Sequence, residues 1–399
     1  MNERPTLHRG LGLTLVLAYG LGTIIGAGIY VAVGQVAGAA GEAAPVAFLL
    51  AGTVAALTGL SYAEFAARHP EAAGAAAYVQ AAFGRPWLAR ATGAAVALAA
   101  MVAAASIARG GAGYLEALAD VPMPIGAGAI VLVLTLLACR GVVESVTVAA
   151  VITAVEIGGL LVVVAAGAPD VPAYLAASEL RTHVLAPGLL AGAFVAFFAF
   201  IGFETMANMA EETRDVAVVL PRAIVLAIAI SAALYATVAL AAVAAVSHGA
   251  LETSPVALCR VLEARGWPCG AAFQSVALTA TLNGVLVEII MLARLAYGMA
   301  NRGWLPAWFA RIEPKRRVPA NATLAGGAAV LALAMGLDFG PLVAITSALT
   351  LGVFALVNAG LWVVQRRDPR ANLALKAPRW VPVAGAISCV ALIAAAFLV

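Results

Sequence analysis

A chain of 399 residues that is 64% apolar, 11% charged and carries a formal net charge of +3 is not a soluble globular domain, which has about 45–50% apolar and about 25% charged residues. The small net charge leaves no nucleic-acid footprint, and the four cysteines follow no metal or redox spacing. Such a composition requires a bilayer as solvent.

A hydrocarbon core of about 30 Å asks for roughly 20 apolar residues per helix. On that ruler the chain contains eleven apolar runs, near 11–33, 44–66, 88–113, 125–141, 146–168, 187–208, 222–247, 270–298, 319–337, 340–364 and 380–399. No segment alternates as the strands of a membrane barrel would. The first run exceeds the apolar region of about 7–15 residues in a signal peptide and is read as a retained span. The expected fold is all-α and polytopic, with residues 1–168 and 187–364 as two five-helix groups. Residues 365–399 supply a basic inner loop and a last span. With the N-terminus inside, the outer loops keep Arg181, Arg260 and Arg265, and Arg109 lies near the outer end of the third run. The remaining basic residues fall inside, as the positive-inside rule demands. The longest inner connection, around Asn301 to Pro319, has no room for a nucleotide-binding or catalytic domain. The four histidines (His8, His69, His183, His248) are scattered over termini and loops, so no enzyme and no cofactor is expected. Transport then draws on an ion gradient, on exchange or on the solute's own gradient.

In chain order, the first span holds Gly20, Gly22, Gly26 and Gly28 within Tyr19–Ile29. Glycine inside a helix costs about 1 kcal/mol relative to alanine. It is retained either for close helix packing or for a broken helix whose backbone meets a ligand at mid-depth. Arg109 in the third span either snorkels to head groups or pairs with an acid as an outer gate. Glu156 lies mid-depth in the fifth span, where an ionisable group is expensive and points to function. Three readings stay open for it: a proton-loading carboxyl, an oxygen ligand for sodium, or a static partner for a basic residue or cationic substrate. The sixth span reads FFAFIGFE over Phe197–Glu204, a second candidate break at Gly202. Breaks in spans one and six suit an inverted repeat. Glu211, Glu212, Arg214 and Asp215 follow as a helix cap or inner gate. Cys259 and Cys269 share one outer loop, as a disulfide or as two free thiols, whereas Cys139 and Cys389 are packing residues. In span eight, Glu288 stands six residues before Arg294, off the i,i+3 and i,i+4 register. It is either a second coupling acid or a buried acid with a local partner. Thr281 and Asn283 upstream are polar ligands or interhelical bonds.

The segments Gly22–Val31 (GTIIGAGIYV), Ser61–Gly84, Ala196–Asp215 and Arg294–Pro306 (RLAYGMANRGWLP) resemble the amino acid–polyamine–organocation superfamily. They are nearest to its bacterial cationic-amino-acid-transporter-like permeases. The four motifs run in order through spans one to eight; spans nine to eleven match in spacing alone, and a twelfth span is missing. The resemblance implies a leucine-transporter-type 5+5 inverted repeat in a cell inner membrane, N-terminus cytoplasmic. Ile25, Gly26, Ala27 and Gly28 would be the unwound part of span one, taking the substrate carboxylate. Ala199, Phe200, Ile201 and Gly202 would form the break in span six, and Phe198 or Phe200 the aromatic gate. In some proton-coupled members a lysine stands at the position matching Glu156; the acid here departs from that pattern. The expected activity is amino acid transport by proton-coupled symport, with Glu156, Glu288 and Thr281 as ion-coupling residues. Its partners are an amino acid, a proton or sodium ion and the bilayer. The alternatives are an exchanger, a sodium symporter, or a channel or receptor; the few polar residues in the spans disfavour the channel, and a receptor would be expected to carry a soluble signalling domain.

Overall fold

The computed structural model describes residues 11–69, 74–141, 146–177, 188–209, 213–369, 373 and 376–398. Its helices are α1 (Leu13–Ala40), α2 (Ala44–Arg68), α3 (Gly74–Phe83), α4 (Pro86–Ala119), α5 (Met123–Cys139), α6 (Val146–Gly167), α7 (Val171–Ala177), α8 (Gly188–Phe197) and α9 (Val216–Ala245). They continue with α10 (His248–Glu252), α11 (Ala257–Ala264), α12 (Ala271–Asn301), α13 (Ala320–Gly336), α14 (Phe339–Arg367) and α15 (Trp380–Leu398). Eight helical stretches among the described residues are long and apolar enough to cross a bilayer, and Leu13–Gly26, Met123–Cys139 and Ala320–Gly336 are shorter apolar ones. The chain is a multi-pass, all-α membrane protein. Hydropathy placed the spans but not their ends. The helix expected over 88–113 runs from Pro86 to Ala119, and α1 continues to Ala40, because alanine extends a helix past the hydrocarbon edge. Prolines at the first helical positions start α2, α4 and α5, where the missing N–H would have no partner anyway.

The side chains sort into two apolar clusters. One gathers α1, α2, α8 and α9, with Phe48, Tyr62, Phe197, Phe200 and Tyr235 buried in it. The other gathers α4, α5, α12 and α13 around Ala105, Val131, Val285 and Val330. Val31, Val195 and Ile201 pack against both, so the middles of α1 and α8 lie along the seam. Large apolar residues of α5, α6 and α15, such as Leu132, Val151 and Ile387, stay exposed, as lipid-facing positions do.

Helix association in a bilayer has no hydrophobic drive, so packing and polar bonds must supply it. Between α2 and α14, Ser61 donates to Asn358 Oδ1 at 2.6 Å and Asn358 Nδ2 donates to Thr58 at 2.9 Å. One turn on, the buried Glu64 carboxylate accepts from Arg68 (2.7 Å), from Gln365 (2.7 Å) and from the Ala377 N–H (2.9 Å). The loop between α11 and α12 is closed by a Cys259–Cys269 disulfide, which decides the alternative left open above. At the arginine-rich end, the N–H of Arg214 donates to the Leu11 carbonyl at 2.9 Å, tying the chain ahead of α1 to the segment that follows the sixth span.

Candidate functional site

In α1 the backbone leaves the helix at Gly26, with φ −16° and ψ −116°. Among the described residues only Gly26 departs from helical geometry, and Ile25 and Gly28 stay within the helical run. The sixth span breaks more fully. The α-helix stops at Phe197, tightens to a 3₁₀ turn over Phe198–Phe200, and turns extended at Ile201. Gly202 then takes φ 126° before a second 3₁₀ segment over Phe203–Met209. Glycine is needed at 202 twice over. A side chain disfavours that φ, and a Cβ would run into the Thr23 carbonyl, 2.8 Å from its carbon. Gly28 makes the reciprocal contact, since a Cβ there would stand 2.7 Å from Ala199 Cα. The two breaks therefore lie directly against each other.

Broken helices leave carbonyls that need new donors. One hydroxyl serves both breaks: Tyr235 of α9 lies 2.6 Å from the Ile24 carbonyl oxygen and 3.1 Å from that of Ala199. A phenol has a single proton to donate, so the two carbonyls share it. Beyond the break, Tyr114 donates to the Tyr30 carbonyl at 2.8 Å, and Tyr30 donates to the Glu156 backbone carbonyl at 2.6 Å. This relay of hydroxyls joins α4, α1 and α6. On the other side, Glu204 Oε2 accepts the Gly202 N–H at 2.9 Å and Thr205 Oγ1 donates to the Gly202 carbonyl at 2.7 Å, capping the second 3₁₀ segment.

A cavity of about 450 Å³ reaches the break in the sixth span, where Ile201, Glu204 and Thr205 line it. Its other lining residues include Glu288 and Met291 of α12, with Arg302 and Trp304 beyond the helix end. These residues belong to the arginine-rich halves of the helices, so the cavity opens on that face. At the opposite face Arg109 of α4 is paired with Asp338 at the start of α14. Nearby, the Phe198 ring meets Phe339 edge-on, with centroids 6.4 Å apart. The described cavity thus lies toward the arginine-rich face, and the Arg109–Asp338 pair toward the other.

A family model described as amino acid permease matches residues 11–399. The chain belongs to the amino acid permease family. The match extends through spans nine to eleven, where the motifs had been silent. Curated relatives agree. This permease is 31% identical to an Arabidopsis thaliana protein named cationic amino acid transporter 4, vacuolar, over 92% of its own length and 65% of the relative's. It is 32% identical to an uncharacterized transporter of Mycobacterium bovis, covering 97% of the chain and 86% of the relative. A methylthioribose transporter of Bacillus subtilis is 26% identical over 97% of the chain and 87% of the relative. The permease thus spans just under two thirds of the plant relative's length.

Not every expected residue meets at the cavity. Gly26, Gly28, Ala199, Ile201 and Gly202 cluster at the paired breaks, and Glu288 faces the open cavity. Ile25 is wholly buried in the first apolar cluster. Phe200 turns away from the cavity onto Tyr235, with ring centroids 5.1 Å apart, and lies against Gly52, whose added Cβ would stand 3.1 Å from the ring. Of the two aromatic candidates only Phe198 looks toward the second cluster. Thr281 donates to its own helix at Leu278 and sits against Gly111 of α4, a packing position outside the cavity lining. Glu156 is buried in α6 and also absent from that lining. Arg109 takes the paired form, with Asp338. The side chain of Ala27, and Glu211 and Glu212, lie outside the described residues. Tyr235, Glu204 and Asp338 were not singled out beforehand. A tyrosine inside an apolar span is the one available signal, because a buried phenol looks for a partner; the partner itself is set by packing.

Proposed function

We propose that this permease carries an amino acid across the cytoplasmic membrane by alternating access, binding it where the breaks of α1 and the sixth span meet. The observation that carries the reading is the sharing of one Tyr235 proton between carbonyls of both breaks, in a chain whose open cavity reaches the sixth-span break at Ile201. The second half of α1 begins at the break, and helix N-termini present amides and partial positive charge to a carboxylate. The incompletely satisfied carbonyls of Ile24 and Ala199 suit an ammonium group. Residues 1–168 and 187–364 act as inverted five-helix repeats, a division consistent with breaks in the first helix of each. The basic residues put the open face and the N-terminus in the cytoplasm.

Glu204 and Glu288 face Arg294 and Arg302 across the vestibule lining, a balance of charges that suits a zwitterionic amino acid; the name of the plant relative points to a cationic one. Energy comes from proton symport, with Glu156 as the carboxyl that loads and releases the proton. Its helix is hydrogen-bonded to Tyr30, four residues beyond Gly26, so a change of charge there acts on α1. The test is uptake of a labelled amino-acid panel into proteoliposomes under an imposed pH gradient without sodium, for wild type and Glu156→Gln. Uphill uptake that collapses with a protonophore and is lost in the variant is the expected result. Gradient-insensitive uptake that survives in the variant would replace symport by exchange or facilitated diffusion.

A further inference from the structure

A second cavity, of about 360 Å³, lies on the arginine-rich face between the ends of α5 and α12, the start of α13 and the loop that joins the latter two. Arg294, Arg316 and Arg317 line it with Tyr297, and its apolar lining includes Ile290 and Ala293. Among the described residues none of the three guanidinium groups is paired with a carboxylate. The acid in the same loop, Glu313, is committed elsewhere, accepting the Arg316 backbone N–H at 2.6 Å. It shapes the turn and leaves the arginine heads uncompensated. The Arg316 guanidinium donates to the Cys139 carbonyl at 3.4 Å, which sets it against the end of α5.

Three guanidinium groups without carboxylate partners, gathered around one partly apolar recess, concentrate positive charge there and attract an anion. The position narrows the class. One turn before Cys139, α5 exposes Leu136, with Leu132 and Val133 beyond it, so the recess opens beside the acyl-chain region. An occupant with an anionic head and an apolar tail satisfies both walls at once. Arginine forks match phosphate oxygens in two-point contact, and basic pockets between spans on the inner side are suited to lipid phosphate. We propose that this recess is a binding site for the phosphate headgroup of an anionic phospholipid. Arg294 also lines the substrate cavity, so a bound lipid draws on a guanidinium that otherwise adds positive charge at the vestibule edge.

The test is native mass spectrometry of delipidated protein titrated with phosphatidylglycerol, phosphatidylcholine or inorganic phosphate. Wild type is expected to retain one phosphatidylglycerol in preference to phosphatidylcholine. The double variant Arg316→Gln/Arg317→Gln should bind it about thirtyfold more weakly, while Arg311→Gln/Lys315→Gln, in the same loop outside the recess, keeps wild-type retention. Equal retention of phosphatidylcholine, or unchanged affinity in the double variant, would overturn the assignment. Displacement of the lipid by millimolar inorganic phosphate would also overturn it and give the site to a soluble ion. Should the double variant fail to fold, photoactivatable phosphatidylglycerol cross-linked to wild type decides. Labelling at Ile290, Tyr297 or Ile312 is expected, and labelling confined to other helices sinks the idea.

Discussion

Glu156 and Glu288 read alike in the sequence, each a lone acid within an apolar span, yet the structure gives them opposite surroundings. Glu288 shares an open cavity with Glu204, near Arg302 and Trp304. Glu156 is shut inside the packing, 1% exposed, on a helix bonded through Tyr30 to the segment after the first break. An acid on the wall of an open cavity is within reach of arriving solutes. An acid enclosed beside a broken helix has its ionisation tied to the position of that helix. Depth in a span is therefore a poor guide to the role of a membrane carboxylate; what it faces decides.

The strongest test of this contrast is Glu156→Gln, which should lower gradient-driven accumulation about 100-fold, equivalent to roughly 2.7 kcal/mol. Counterflow of preloaded substrate should persist; loss of counterflow as well would mean that Glu156 serves binding and not coupling. Tyr235→Phe leaves two carbonyls without their shared donor, a loss of about 1–3 kcal/mol per buried group. Turnover should fall about tenfold or more in initial-rate assays, and an unaltered rate would show that the breaks hold together without the phenol. Glu288→Gln should raise KM for arginine or lysine about tenfold while changing KM for alanine about twofold at most, because only the side-chain charge senses the vestibule field. That split, measured at two salt concentrations, would shrink at the higher one. Equal effects on all three amino acids would move Glu288 into the backbone-recognition site. The smallest effect belongs to Asp338→Asn. Its carboxylate is largely solvated although Arg109 is buried, and the neutral amide can still accept from the guanidinium, so uptake should change no more than about threefold.

The spans, the resemblance carried by four motifs and both interruptions were legible in the sequence, because hydropathy and mid-span glycine are local signals. Gly202 illustrates why: its positive φ and its contact with Thr23 both demand the one residue type that stands out in FFAFIGFE. The extent of unwinding in α1 was not legible. Whether Gly26 alone or its neighbours leave the helix depends on how Ala199 and Tyr235 pack against them. The same holds for the two phenylalanines, one residue apart on either side of Ala199, which a tight 3₁₀ turn directs toward different clusters. Arg109 showed an unsatisfied charge, but its partner Asp338 lies 229 positions away in the chain and no spacing rule connects them. The surroundings of Thr281 were illegible for a related reason: a hydroxyl in a span can bond its own helix, and the opposing face, here Gly111, is set by packing.

The single proton of Tyr235 also bears on how firmly a solute can be held. If the substrate amine takes the proposed seat, it meets Ile24 and Ala199 carbonyls already partly satisfied by Tyr235, so it displaces part of an existing bond and the net gain is small. Such a seat discriminates by fit while gripping weakly, and it closes behind a departing solute without leaving a bare polar gap. A carrier must release what it recognises on every cycle. A hydroxyl that stands in for its passenger keeps arrival and departure nearly level in free energy, so the loaded and empty carrier can both turn over.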